Sequence, residues 1–168
     1  MLFRNRIEAG KKLAGKLANY KSKKGVIVLG IPRGGVEVAF SVAKALKAPL
    51  SVVVTKKIGH PFNPELAIGA VSPDNYILDE DYKDKEGFAK KTIKELNAEI
   101  KTRYKKYTKG KLPQLKNKIV IVADDGLATG HTMLAAIKHV KSKSPKKIIA
   151  AVPVSSQDAY EKIRKVAD

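Results

Sequence analysis

A chain of 168 residues with 43% hydrophobic content is long enough to bury one proper core, and it has the composition of a globular protein rather than a fibrous or disordered one. Cysteine is absent, which excludes a disulfide framework, a thiolate metal site and a cysteine nucleophile. The net charge of +18 is carried mostly by lysine spread along the whole chain; such a field attracts nucleic acid, phosphorylated metabolites or acidic lipid, although a general enrichment in lysine accounts for it as well.

No apolar run approaches the roughly 20 residues that span a bilayer. The N-terminus, MLFRNRIEAGKKL, lacks the apolar region of a secretory leader, so a cytoplasmic location and no membrane contact are expected. The apolar residues Phe3, Ile7, Leu13, Ala14, Leu17 and Tyr20 fall mostly at helical spacing and predict an amphipathic first helix over one face or edge of a sheet. Val26-Ile27-Val28-Leu29 is a short continuous apolar strand. It runs into Gly30-Ile31-Pro32-Arg33-Gly34-Gly35, and a helix follows with Val36, Ala39, Phe40, Ala43 and Leu46 on one face. Both GxxxxGK[ST] and GxGxxG are missing, so this unit is neither a P-loop nor a dinucleotide fingerprint. Gly34 and Gly35 let a backbone approach an anion, and Arg33 adds a forked donor for phosphate oxygens. By itself the loop also reads as a tight turn with a surface arginine.

Leu50 to Thr55 is the next buried strand, ending in Lys56-Lys57. Ile58 to Pro64 is punctuated by glycine and two prolines and reads as loop. Glu65 to Val71 predicts a further strand and Tyr76 to Leu78 a short one, while Asp79 to Lys85 reads as a polar surface connection. In the long helix that follows, Phe88, Thr92 or Ile93, Leu96, Ile100, Tyr104 and Tyr107 lie at spacings of three to four. Its other face is basic, with Lys90, Lys91, Lys94, Lys101, Arg103, Lys105 and Lys106. Tyrosine beside lysine can serve nucleic acid, but a tyrosine stripe is ordinarily core and a lysine face ordinarily solvated. Lys109 to Lys118, with Pro113, is loop.

Ile119-Val120-Ile121-Val122-Ala123 has the β-branched density of a strand buried on both faces, as in a parallel sheet. It ends in Asp124 and Asp125. Gly126, Thr129, Gly130 and Thr132 follow, then Met133, Ala136, Ile137 and Val140 at helical spacing. Ligands of open parallel sheets sit at the carboxyl ends of strands, and a turn feeding a helix N-terminus there offers free N–H groups to a phosphate. Two carboxylates accept hydrogen bonds from a pair of hydroxyls or hold a hard cation. A ribose 5-phosphate satisfies both halves. Phosphatase chemistry of the D-x-D type fits poorly, because these two acids are adjacent. Lys141 to Lys147 is a basic turn, Ile148 to Val154 another buried strand, and Ser155 and Ser156 cap a last helix with Ala159, Ile163 and Val166 inward.

The stretch IVIVADDGLATGHTM resembles the phosphoribosyl pyrophosphate signature of type I phosphoribosyltransferases: a hydrophobic strand, two acids, two mostly aliphatic residues and a small/Thr/Gly/any/Thr phosphate loop. Gly126 departs from the usual aliphatic residue. GIPRGGVEVA and VVVTKKIGHPFNPELAIGAV, in this order before ADDGLATGHTM, extend the resemblance over about residues 4–168. It implies that Asp124 and Asp125 hold the ribose hydroxyls and that Ala128, Thr129, Gly130, His131 and Thr132 hold the 5′-phosphate. It further implies that Arg33, Gly34, Gly35 and Lys56 hold pyrophosphate, in a loop often built on a strained peptide bond. Lys57 and His60 are further candidates there, and Glu65 is a candidate for orienting substrate. Mg²⁺ would bridge the diol and pyrophosphate, held through the ligand and at most by Asp124 and Asp125 directly. Asp124, Asp125 and Lys56 are thus the expected catalytic set, and Asp124 could also accept a proton from the acceptor.

The implied reaction moves a 5-phosphoribosyl group to a nitrogen acceptor, a nucleobase first, within nucleotide metabolism; the implied assembly is a homodimer. The expected fold is α/β, a mostly parallel sheet of about five strands near 26–30, 50–56, 66–72, 119–124 and 148–153, with helices on both faces. A single domain is expected over 1–168, with a flexible loop at about 57–75, to which the 66–72 strand could belong, and a helical insertion at about 84–108. A doubly wound sheet would continue with another strand past residue 168, where the family often builds part of the hood over the base. The other reading is a non-catalytic regulator that binds phosphoribosyl pyrophosphate and contacts nucleic acid through its basic surface.

Overall fold

The computed structural model describes residues 3–82, 86–109 and 113–168. In chain order the elements are α1 (Arg6–Lys16), β1 (Val26–Gly30), α2 (Gly34–Leu46), β2 (Leu50–Val52), β3 (Lys56–His60), β4 (Asn63–Ser72), β5 (Asn75–Leu78), α3 (Glu86–Thr108), β6 (Ile119–Ala123), α4 (His131–Lys141), β7 (Lys147–Ala151) and α5 (Gln157–Ile163). Short 3-10 turns lie at Ala18–Tyr20 and Glu80–Tyr82. The parts of the expected loops at 83–85 and 110–112 fall outside the described residues, as do the side chains of Glu65 and Phe88.

Four strands form a parallel sheet in the order β2-β1-β6-β7. The two most apolar runs of the chain, β1 and β6, take its centre, paired from Val26 with Ile119 to Gly30 with Ala123. Alternation along each strand divides the core in two. Val26 and Val28 of β1 and Ile121 and Ala123 of β6 pack under α1 and α2, against Ala14, Leu17, Ala39, Val42 and Leu46. Ile27 and Leu29 of β1 and Val120 and Val122 of β6 face the other way, against Met133, Ile137 and Val140 of α4 and Ala159 and Ile163 of α5. A strand run with no polar alternation is what two covered faces require.

The expected strand at 66–72 is not a fifth member of that sheet. It is the middle of β4, which pairs antiparallel with β3 on one side and β5 on the other in a separate three-stranded sheet. The expected strand at 50–56 stops at Val52. Val53 still donates to Gly30 O, but the Val54 amide donates to the Tyr104 hydroxyl of α3 at 3.1 Å, so the chain leaves the parallel ladder there. Residues 56–60, read partly as loop, form β3. Its ladder to β4 shifts register on both sides of Gly59; bulges of this kind let a strand absorb glycine and proline. Val54, Ile58, Ile68 and Val71 close a third core against Ile100 and Tyr104 of α3. Tyr104 is therefore core, and burial pushes its phenol pKa up. No helix among the described residues is long and apolar enough to cross a membrane.

Candidate functional site

The crossover after β1 carries the chain through α2 to β2 on one side, and the crossover after β6 carries it through α4 to β7 on the other. The two connections part between the carboxyl ends of β1 and β6, which makes a crevice at a topological switch point. Residues 31–35 form one lip of it and residues 124–130 the other. Ile31 N–H donates to Ala123 O at 3.0 Å, tying the lips at their base.

Asp124 directly follows β6 with only 8% of its surface exposed. Its Oδ1 accepts the Asp125 N–H at 2.9 Å. That turn brings two adjacent acids, which an extended strand would point apart, toward one helix end. A β-carbon built on Gly35 would lie 2.6 Å from Asp124 Oδ1, and one on Gly34 would run into the Asp125 carboxylate. The glycines were expected to let backbone approach an anion; the anions they lie against in this structure are the protein's own acid pair. Burial, then the charge of Asp125, pushes the Asp124 carboxyl up to about 7, with the Asp125 amide opposing them. Asp125 is less buried and is paired with Arg6, whose Nε lies 2.8 Å from its Oδ2. Arg6 Nη1 also lies 3.9 Å from Glu37 of α2. Arg33 caps α2, is exposed, and has no ion-pair partner among the described residues; the Pro32–Arg33 peptide is cis.

On the other lip, Ala128 and Thr129 are exposed and Gly130 adopts φ +81°, a left-handed conformation that favours glycine. No side chain caps α4, so its first N–H groups point at the turn as an anion-binding end. His131, expected in the phosphate set, has its ring buried and engaged: Nδ1 lies 2.9 Å from Thr129 Oγ1 and Nε2 lies 2.8 Å from Asp79 Oδ1. Only its backbone N–H is left to the turn. Gly126, the departure from the usual pattern, lies where a β-carbon would come 3.1 Å from Val154 Cγ2. Leu127 pairs with the 154–156 loop through bonds to Val154 O and from Ser156 N.

The remaining expected residues lie on the second sheet. Lys56 Nζ is bound to Glu99 of α3 at 2.5 Å. Lys57 is exposed. His60 stacks edge-on against Tyr82, 5.5 Å between ring centres, and its Nδ1 accepts the Phe62 amide at 3.2 Å. Arg6 and Asp79 are residues that sequence reasoning missed. Neither lies in a motif, and Asp79 falls in a polar run that reads as surface. No group of three acids or histidines among the described residues is arranged to hold a metal. The acid pair alone suits a cation that keeps most of its coordination on ligand oxygens and water, as Mg²⁺ does.

The family model described as the phosphoribosyl transferase domain matches residues 2–168. A Mycobacterium tuberculosis protein (strain H37Rv), provisionally named a phosphoribosyl transferase, is 40% identical over 175 residues, covering 99% of this chain and 39% of that protein. The chain thus spans about two fifths of the length of the curated relatives it matches. Among solved structures, a Thermus thermophilus protein, TT1426, is 35% identical with a TM-score of 0.81, covering 100% of this chain and 82% of that one. The purine phosphoribosyltransferase of Pyrococcus horikoshii shares the fold at a TM-score of 0.55 and 22% identity, over 94% of this chain and 77% of that one.

Proposed function

The chain belongs to the phosphoribosyl transferase domain family, and from that premise we propose that it transfers a 5-phosphoribosyl group from phosphoribosyl pyrophosphate to a nitrogen acceptor. The observation that carries this reading is the meeting, at one switch point, of the Asp124-Asp125 pair with an uncapped turn at the N-terminus of α4. In this reading residues 128–132 take the 5′-phosphate through backbone N–H groups and the Thr129 and Thr132 hydroxyls. Asp124 and Asp125 take the ribose diol, with Arg6 yielding or sharing Asp125. Arg33, with the backbone at Gly34 and Gly35, takes the pyrophosphate, and Lys56 joins it on leaving Glu99. Asp124 and Asp125, together with the ligand's own oxygens, would hold Mg²⁺, which would supply neutralisation of the leaving group's charge.

The bond from the anomeric carbon to pyrophosphate breaks with its electron pair on the leaving oxygen, and the acceptor nitrogen bonds to that carbon. Carboxylates beside the ribose favour the oxocarbenium character that develops. A carboxyl with a pKa near neutral, as Asp124 has before ligand binds, is suited to accept the proton that the acceptor nitrogen sheds. The β3–β4 hairpin, within the expected mobile stretch 57–75, carries Phe62 at 91% exposure on its turn and is the candidate lid that excludes water. A cavity of about 250 Å³ lined by Leu127, Val152, Ser155 and Tyr160 adjoins the turn and is the candidate seat for a nucleobase acceptor. One functional domain over 1–168, a homodimer and a cytoplasmic location belong to the same proposal.

A second reading, a phosphoribosyl pyrophosphate-binding regulator, is favoured by the charge of +18 and by the exposed Lys91, Lys101, Lys105 and Lys106 on α3. Calorimetric titration of phosphoribosyl pyrophosphate with and without Mg²⁺ tests the site. Binding that needs Mg²⁺ and disappears in Asp124→Asn/Asp125→Asn is the expected result; no binding by the wild type sinks both readings. Release of pyrophosphate with a panel of purine and pyrimidine bases then separates them, since the regulator releases none.

A further inference from the structure

A large cavity lies away from the acid pair. A cleft of about 1140 Å³ runs between β5 and α3, with Lys138 of α4 at its edge. On α3, Lys94, Asn97 and Lys101 stand three and four residues apart and line it from one face of the helix. Lys94 and Lys101 are exposed and form no ion pair among the described residues. Lys138 Nζ donates to Tyr76 O at 3.2 Å, which fixes a third ammonium at the opposite wall. The formal charges of Glu80 and Lys90, also on the lining, cancel. Asp74, the other acid there, is already taken by Lys143 Nζ at 2.5 Å and lies 3.1 Å from His139 Nδ1. Among the described lining residues the cleft therefore keeps an excess of positive charge.

Its floor is not a solvated lysine face. Tyr76, 46% exposed, stands beside Leu78 and Ile93 on the lining. The carboxamide oxygen of Asn97, a residue of the lining, is buried and has no hydrogen-bond partner among the described residues; such a group calls for a ligand or a water. Cations at the rim, an aromatic ring, apolar floor and an unsatisfied amide together recognise a charged group joined to a planar one. We propose that this cleft is a second anion site that takes a phosphorylated ligand bearing an aromatic ring, of the nucleotide class.

The site is separate from the phosphoribosyl reading and does not depend on it. Lys138 lies seven residues beyond His131, roughly 10 Å down α4 from the phosphate turn. The two places are still joined, because β5 walls the cleft and runs directly into Asp79, which holds His131 and through it Thr129. A ligand that fixes β5 acts on the turn through that chain of bonds.

The test titrates adenosine 5′-triphosphate, and separately inorganic triphosphate, into three proteins at low salt: wild type, Lys94→Glu/Lys101→Glu, and Asp124→Asn/Asp125→Asn. The proposal expects the nucleotide to bind wild type and the Asp variant alike, to lose at least about tenfold on charge reversal, and to bind at least about tenfold more tightly than triphosphate alone. Phosphoribosyl pyrophosphate binding by the lysine variant stays at the wild-type level if that other site exists. Four results overturn it: no nucleotide binding by wild type, binding that survives charge reversal, binding lost only in the Asp variant, or triphosphate binding as well as the nucleotide. Single-stranded RNA bound through the same lysines far more tightly than the nucleotide also overturns it, in favour of a polymer. Should the reversed pair misfold by circular dichroism, Lys94→Gln/Lys101→Gln gives the same comparison.

Discussion

A β-carbon at Gly35 would meet Asp124 Oδ1 at 2.6 Å, the Asp124 Cα at 2.8 Å and Ala123 O at 2.9 Å. Two of these are backbone atoms of the central strand and its end, so relaxation must move β6 itself. Gly35→Ala is expected to lower stability by about 1–3 kcal/mol, read as a fall in the denaturation midpoint. Gly15→Ala is the internal control: it lies in α1 with nothing near its β-carbon position, and helix propensity makes it stabilising by up to about 1 kcal/mol. Asp124 supplies the second prediction at this scale. Its folded pKa of about 7 lies well above that of an unfolded aspartate, so between those values the folded chain keeps a proton that the unfolded chain has lost. Stability from this group is present in full below about pH 4, falls as pH rises to about 7, and levels off above; Asp124→Asn flattens that slope in the metal-free, ligand-free protein. The acids and the Thr-Gly-x-Thr turn could be read from sequence because they lie within a few residues of one another. Arg6 could not, since its partner Asp125 is 119 positions away.

Between elements, the contact that matters most to the turn is the one from the end of β5 to the start of α4. His131 is 4% exposed, and among the described residues its Nε2 is satisfied only by Asp79. Asp79→Ala leaves a buried ring nitrogen without a partner, which costs about 1–3 kcal/mol. The same change is expected to weaken phosphoribosyl pyrophosphate binding and to speed amide hydrogen exchange over residues 128–132, while exchange in β1 and β6 changes little. A uniform increase across the sheet instead would make Asp79 a general stabiliser. At this scale sequence periodicity found α2, α3 and α4 and the buried strands β1, β6 and β7, where one rule of burial holds along the whole element. It read residues 58–64 as loop because Gly59, Pro61 and Pro64 break any period. The hairpin forms there nonetheless, since its ladder to β4 absorbs the irregular residues as register shifts and Ile58 is anchored in the third core.

For the whole molecule, 34 basic residues face 16 acids, and self-repulsion at +18 opposes the compact state. Raising salt from about 0.01 M to about 0.1 M shortens the screening length from about 30 to about 10 Å. The melting temperature is therefore expected to rise over that range. A fall would mean that the surface pairs, such as Arg4 with Glu8 and Lys56 with Glu99, outweigh the repulsion. The same field draws any phosphorylated ligand toward the protein without choosing where it lands. In the readings proposed above the choice falls to the two clefts, one at the ends of β1 and β6 and one between β5 and α3.

What the sequence determined alone is the run of residues at the end of β6: an acid pair, a glycine- and threonine-rich turn and a helix start, together with the parallel sheet that presents them. Those features rest on short-range pattern, because a strand buried on both faces and a helix cap are each specified within about ten residues. Tertiary structure decided what lies against them. It set the glycines of α2 on the acids, gave Asp125 to Arg6 and His131 to Asp79, moved 66–72 into a second sheet, and opened a basic cleft beside α3. Each of these joins residues far apart in the chain, and a contact of that kind depends on how packed faces meet rather than on any local order of residues.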